Sequence, residues 1–128
     1  MSDLLKTLGI KVVSVKPNES IISLAISDEI KQPHGLVHGG INAVLGETAA
    51  SLGGGQNVPV GFNVVGIDIT THHLQAAKEG TLIARATPLH IGKKIQTWQV
   101  EIHNGERLTS VSDVTLARVS EVNRNPRK

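Results

Sequence analysis

The 128-residue sequence has no cysteine and no tyrosine, and its aromatic residues other than histidine are a single phenylalanine, Phe62, and a single tryptophan, Trp98. The absence of cysteine excludes disulfides and thiolate catalysis and suits the reducing cytoplasm, where we expect this protein. With so few aromatics, the core must be built from aliphatic residues and alanine. The hydrophobic content of 39% and the chain length indicate one folded domain, which we place at residues 1–120.

Long hydrophobic runs and a strong charge of one sign are also missing. No stretch reaches the roughly 18 apolar residues of a transmembrane helix, and no secretion signal is found, so we expect no membrane association. The net charge of +2 is too small to indicate nucleic-acid binding. Part of the basic excess lies in Arg118, Arg124, Arg127 and Lys128, and we interpret residues 121–128 as a basic tail.

Hydrophobic periodicity divides the chain into a short helix, two strands, one long helix and four strands. The spacing of Leu4, Leu5 and Leu8 predicts the short helix, and Asn104-Gly105 predicts a hairpin turn. Strands are predicted over 10–15, 20–27, 65–69, 82–86, 98–102 and 108–119. Short connections favour antiparallel pairing, so we predict an α+β fold with one helix over a curved antiparallel sheet. The other sheet face needs cover, which favours an oligomer.

The long helix is predicted from His38 to Leu52 and is expected to end at the glycines 53–55. Its apolar face is predicted from residues that recur at helical spacing: Ile41, Val44, Leu45, Thr48 and Leu52. Small residues such as Gly46 and Ala49 should let the sheet approach closely.

Glu47 is the only charged residue between Lys31 and Asp68. A carboxylate among apolar and small residues loses hydration when its helix packs, which costs free energy unless the group is paired. Glu47 is therefore either a functional candidate or an ordinary carboxylate whose tip reaches solvent, and the pattern alone leaves both open.

The run His38-Gly39-Gly40 precedes Glu47 and is predicted to begin the helix. Backbone N–H groups there have no acceptor within the helix, and the helix dipole adds partial positive charge. Because Gly39 has no side chain, a ligand oxygen can approach its N–H, which makes an oxyanion hole plausible. On pattern alone, His38 is more simply a helix cap and Gln32 a loop amide.

Gly39 and Glu47 lie eight positions apart, which is roughly 12 Å along a helix. They cannot both touch one carbonyl group from the same chain. If both act on one substrate, Glu47 must come from a neighbouring subunit. A two-fold dimer with antiparallel helices would then form two identical shared sites.

Four segments, in order, resemble the hotdog-fold acyl-CoA thioesterases of the PaaI-like kind. They are Lys31–Ser51 (KQPHGLVHGGINAVLGETAAS), Val64–Ile69, Pro88–Lys93 and Gln96–Trp98, and the similarity runs from about Ile10 to Ala117. The resemblance implies a hotdog fold, with the sheet wrapped around one central helix. It also implies hydrolysis of an acyl-CoA, with an aromatic acyl group favoured, to the free acid and CoA. Neither a metal nor a cofactor is expected, and the family implies dimers with shared sites that pair into tetramers.

The resemblance implies a catalytic role for five residues. Glu47 matches the general base or nucleophile, and Gly39 matches the oxyanion N–H. Gln32 and His38 match residues that orient the thioester carbonyl. Ser51, one turn past Glu47, matches a residue that places water or substrate.

The resemblance also implies two groups of binding residues. His73 matches a substrate-side histidine, and strand alternation is expected to place it on the face of Val65, Ile67 and Ile69, with His72 pointing away. The pantetheine path is expected along Gly66, His73, Leu74, Gln75 and Ala76. The CoA nucleotide is expected at His90, Ile91, Gly92, Lys93, Lys94 and Ile95, where positive charge suits phosphate. The alternative for this second group is an ordinary solvated turn.

Two departures from the family pattern leave the acyl preference open: His34 replaces an aromatic residue, and Leu74-Gln75 stands where an arginine is frequent. The alternative function is a non-catalytic acyl-CoA binding or sensing protein. A hydratase would need an Asp/His pair that we do not find, and no Gly-x-Ser-x-Gly nucleophile elbow is present.

Overall fold

The structure, a computed structural model, describes residues 3–121. The predicted succession of elements is confirmed, with short 3-10 turns at Asp28–Ile30 and Gly55–Asn57. The elements are α1 (Leu4–Leu8), β1 (Lys11–Lys16), β2 (Glu19–Ala25), α2 (Gly39–Gly54), β3 (Phe62–His73), β4 (Thr81–Ile91), β5 (Ile95–Asn104) and β6 (Arg107–Ser120). None of the described helices is long and apolar enough to span a membrane. The predicted basic tail, apart from Glu121, lies outside the described residues.

The six strands form one antiparallel sheet in the order β1-β2-β4-β5-β6-β3, with α2 packed on one face. The predicted α+β architecture is confirmed. Consecutive strands pair except at β3, which pairs with β6 at the edge of the sheet rather than with β4. The N–H groups of Leu74 and Gln75 both donate to the Thr109 carbonyl, at 2.9 and 3.2 Å. These two bonds hold the segment that follows β3 beside the beginning of β6.

The core lies between α2 and the sheet. Alternate residues of the strands are buried there, as predicted for β4 and β5. Successive side chains of a strand point to opposite faces of the sheet, so the residues between the buried ones face outward. The buried apolar residues of the strands are Ile22, Leu24, Val64, Leu82, Ala84, Ala86, Trp98, Val100, Ile102, Val114 and Leu116.

The buried face of α2 differs from the predicted one. Ile41, Val44 and Leu52 are only partly buried and flank the contact with the sheet. The residues that face the sheet are mostly small: Asn42, Leu45, Gly46, Ala49, Ala50, Gly53 and Gly54. The large buried side chains belong to the strands, and a close-packed core has room for them only if the facing residues of the helix are small. The larger helical residues therefore lie on the flanks of the contact.

The helix α2 ends within the predicted glycine run, but two residues later than the predicted Leu52: Gly53 and Gly54 are helical, and Gly55 is the C-cap. A Cβ atom on Gly53 would lie 2.5 Å from Cη2 of Trp98, and one on Gly54 would lie 2.5 Å from Cδ1 of Leu116. Gly53 and Gly54 therefore permit close packing, and only Gly55 ends the helix. The buried Gln96 amide donates to the Gly54 carbonyl at 3.1 Å and accepts from Trp98 Nε1 at 2.8 Å, which satisfies this helix end.

Replacing Gly53 with alanine is expected to lower the free energy of unfolding by about 1–3 kcal/mol, because the added methyl group overlaps the buried indole ring. Chemical denaturation followed by far-UV circular dichroism measures this change. Gly55→Ala is the matched control, since a Cβ there meets nothing closer than 3.6 Å. Equal stability of the two variants would contradict this account of the helix end.

A bulge at Ile67 changes which β3 residues face the helix. The pairing with β6 shifts between Gly66 and Asp68, so Gly66 and Ile69 lie on the helix side. The prediction that Val65, Ile67 and Ile69 share a face is therefore wrong. The prediction that His73 points inward with Ile69 is confirmed, because both lie beyond the bulge.

Arg118 belongs to β6 and not to a solvated C-terminal end. Its guanidinium carbon lies 4.4 Å from the centre of the Phe62 ring. This cation–π contact joins β6 to the start of β3. The charge of Arg118 therefore stabilises the edge of the sheet through its contact with the Phe62 ring.

Candidate active site

The start of α2 combines a side-chain cap with an open backbone donor. His38 is the N-cap residue, and its Nδ1 accepts from the Gly40 N–H at 2.9 Å. The capping role is thereby confirmed, and since Nδ1 accepts, the neutral ring carries its proton on Nε2. We find no hydrogen bond from the Gly39 N–H within residues 3–121, so this donor remains available at the helix start.

A cleft of about 360 Å³ opens beside the helix start, and we call it the tip cleft. It brings together the predicted residues Gln32 and Gly39 and those of the segment 73–76, which arrives from the end of β3. Its lining consists of Gln32, Leu36, Val37, Gly39, Asn42, His73, Leu74, Gln75, Ala76, Ala77 and Thr109.

Two side chains that line the tip cleft carry hydrogen-bonding groups. The Oε1 atom of Gln32 accepts from the His34 N–H, which leaves the Gln32 amide –NH₂ group as a donor. The His73 ring lies over Gly39, because a Cβ on Gly39 would be 3.0 Å from His73 Nε2. The tip cleft therefore gathers donors suited to a carbonyl oxygen that gains negative charge.

Glu47 lies in a second cleft of about 370 Å³, which we call the acid cleft. Ser51 follows Glu47 by four residues and lines the same cleft, as the helical spacing requires. The complete lining is Leu5, Glu47, Thr48, Ser51, Leu52, Asn63 and Val64. The Glu47 side chain is exposed and forms no ion pair in the described part of the chain.

Gly66 makes room for the Glu47 carboxylate. A Cβ atom on Gly66 would overlap Oε2 of Glu47, so any larger residue there would displace the acid. A glycine at this position lets the carboxylate lie against the backbone of β3. The structure thus places Gly66 directly beside the Glu47 carboxylate.

The tip cleft and the acid cleft lie at opposite ends of the sheet. Gly66, Leu116, Gln96 and Ile91 are neighbours across four strands at one end, and His73 pairs with Ser110 at the other. Leu116 and Ser110 lie six positions apart on β6, which corresponds to roughly 20 Å. One chain therefore does not bring Glu47 to the helix start.

The hairpin His90–Ile95 lies at the acid-cleft end, because Ile91 and Gln96 align with Gly66 across the sheet. Its turn is tight: the Gly92 N–H donates to the Ile95 carbonyl at 2.9 Å. Lys93 and Lys94 are exposed at its tip. This segment lines neither the tip cleft nor the acid cleft.

Four polar residues in the clefts were missed from the sequence: Asn42, Thr48, Asn63 and Thr109. Asn42 and Thr109 line the tip cleft, and the other two line the acid cleft. An asparagine in the first turns of an otherwise apolar helix is a signal that would have identified Asn42. Asn63 carries no comparable signal, since it reads as an ordinary strand-end residue.

Comparison with known proteins identifies the family of this chain. The model of the "Thioesterase superfamily" matches residues 34–111. The chain is 36% identical over 113 residues to the 1,4-dihydroxy-2-naphthoyl-CoA hydrolase of Listeria monocytogenes, a match covering 88% of this chain and 92% of that protein. It is 32% identical over 101 residues to the proofreading thioesterase EntH of Cronobacter turicensis, covering 79% and 74%.

A solved structure extends the similarity to three dimensions. The thioesterase HI1161 of Haemophilus influenzae superposes with a TM-score of 0.88 at 33% identity, covering 93% of this chain and 84% of that chain. The family match spans more than half of the chain, and the fold recurs in this solved structure. The chain therefore belongs to the thioesterase superfamily and is a thioester hydrolase with the hotdog fold.

Proposed function

We propose that this protein hydrolyses an acyl-CoA, with an aromatic acyl group preferred, to the free acid and CoA. One observation carries the proposal: the open Gly39 N–H and the Glu47 carboxylate lie in separate clefts of a thioesterase-superfamily chain. The first supplies the donor that a thioester carbonyl needs as it becomes negative, and the second supplies an acid side chain for attack.

The chemistry follows from these groups. The thioester oxygen accepts from the Gly39 N–H, while Gln32 and His38 orient the carbonyl. Glu47 either attacks the carbonyl carbon directly or takes a proton from a water molecule that attacks it, with Ser51 placing that water. The carbon–sulfur bond then breaks, and CoA leaves as the thiolate and takes up a proton. In the water route, the free acid remains. In the direct route, water subsequently hydrolyses the acyl–Glu47 anhydride.

The separation of the two clefts supports a site shared between subunits. Glu47 of the partner subunit would face the tip cleft in a two-fold dimer with antiparallel helices. The edge strand β3 favours such a dimer, because an edge of 12 residues offers unpaired backbone groups to a second copy. Antiparallel pairing centred between Ile69 and Thr70 would set each His73 opposite Gly66 of the partner subunit. From the family resemblance, we further propose that two dimers form a tetramer.

The polarity and charge of the lining side chains indicate where the acyl group and CoA would bind. Leu36, Val37 and Ala77 give the tip cleft apolar walls that suit an aromatic or medium-chain acyl group. The named substrate of the Listeria monocytogenes relative is a naphthoyl-CoA, which favours an aromatic acyl group. Lys93 and Lys94 would meet the CoA phosphates, with pantetheine passing Gly66 and the segment 73–76.

The wild-type protein is expected to release CoA thiol from benzoyl-CoA and hexanoyl-CoA faster than from acetyl-CoA, because only the larger acyl groups fill the apolar tip cleft. A thiol-reactive chromophore measures the release. Binding of benzoyl-CoA without thiol release, seen by calorimetry, would instead indicate a non-catalytic acyl-CoA binding protein. Neither binding nor release across the three thioesters would reject the proposed substrate class.

A further inference from the structure

Asn42 is the buried polar residue of α2, with only 8% of its surface exposed. It lies three positions after Gly39, and its Nδ2 is 3.3 Å from Nδ1 of His73. We find no other side-chain hydrogen bond from Asn42 within residues 3–121. A buried amide is costly unless it is hydrogen-bonded, so this contact accounts for the position of an asparagine on the helix face that packs against the sheet.

The contact determines which nitrogen of His73 carries the proton. An amide –NH₂ group only donates, so Nδ1 must accept and the neutral ring is protonated on Nε2. Nε2 is the ring atom nearest to where a Cβ on Gly39 would lie, at 3.0 Å. The Nε2–H group is thus positioned at the start of α2, in the tip cleft.

We propose that Asn42 is a positioning residue that holds His73 as the Nε2–H tautomer and so presents a second hydrogen-bond donor, beside the Gly39 N–H, to the acyl oxygen. Asn42 acts through the histidine ring rather than on the substrate. The kinetic part of this inference depends on the proposed hydrolysis, whereas the tautomer is a property of the free protein.

The tautomer is tested by long-range ¹H–¹⁵N correlation spectra of the histidine rings at a pH where they are neutral. The His73→Ala variant assigns the His73 signals by removing them. Wild type is expected to show an unprotonated Nδ1 and a protonated Nε2. Asn42→Asp keeps the shape but only accepts, so Nδ1 should become protonated. Asn18→Asp, an exposed turn residue, is the matched charge control and should change nothing at His73.

The positioning role is tested by a double-mutant cycle with benzoyl-CoA. Asn42→Ala should lower kcat/KM about tenfold, the factor expected from one hydrogen bond of ordinary strength. In a His73→Ala background the same change should have no further effect, whereas a merely structural asparagine would lower activity in both backgrounds.

A wild-type His73 protonated on Nδ1, or an unchanged His73 spectrum in Asn42→Asp, would overturn the proposal. An equal effect of Asn42→Ala in both backgrounds would overturn it as well. If wild type does not hydrolyse benzoyl-CoA, the proposed substrate class fails, and the spectra alone still decide the role of Asn42.

Discussion

Replacing Glu47 with alanine is expected to lower kcat for benzoyl-CoA hydrolysis about a thousandfold, because the change removes the proposed base or nucleophile. The fold should be retained, since the Glu47 side chain is exposed and forms no ion pair in the described residues. Thiol release under single-turnover and steady-state conditions measures the loss. Thermal melting checks that the variant remains folded.

Two further variants make the Glu47 result specific. Glu47→Gln keeps the shape of the side chain but removes its charge and basicity, so it should be nearly as inactive as alanine. Glu106→Ala removes an exposed glutamate from the turn between β5 and β6 and should leave the rate unchanged. Unaltered turnover in Glu47→Ala would reject Glu47 as the catalytic group.

Mixing two inactive variants is expected to restore about a quarter of the wild-type rate, provided that each site uses two subunits. Gly39→Val blocks the helix start, because even a Cβ there lies 3.0 Å from His73, and Glu47→Ala removes the acid. Random exchange gives half mixed dimers, and each mixed dimer has one intact site and one doubly defective site. Thiol release from benzoyl-CoA after subunit exchange measures the recovery.

The control for this experiment mixes Glu47→Ala with Glu47→Gln. Both variants are defective at the same end of the molecule, so no mixed dimer contains an intact site and activity should stay at background. Gln32→Ala can replace Gly39→Val if the valine variant does not fold. Recovery in the control, or none with either tip variant, would contradict the shared site.

The local elements were predictable because their causes are local. Alternation in β4 and β5 and the leucine spacing of α1 identify elements from neighbouring residues alone. The start of α2 was predicted for the same reason, since a capping residue followed by glycines acts within one turn. These features need no knowledge of what packs against them.

The packing of α2 was not predictable in the same way. Gly53 and Gly54 read as a helix stop, yet they are helical because Trp98 and Leu116, more than 40 positions away, occupy the space of their missing side chains. The bulge at Ile67 likewise follows from the pairing of β3 with β6. Because of it, Gly66 rather than Val65 lies on the helix side of the sheet. Both depend on which distant segments meet.

The sequence by itself determined the family, the order of the elements and the candidate groups at Gly39 and Glu47, since motifs and periodicities are properties of adjacent residues. It also showed that these two groups are too far apart on one helix to share a carbonyl. Only the tertiary structure decided that they open into separate clefts, that Gly66 makes room for the carboxylate and that Asn42 contacts His73. Those facts depend on contacts between strand and helix that are remote in sequence, where the fit of shapes decides the outcome.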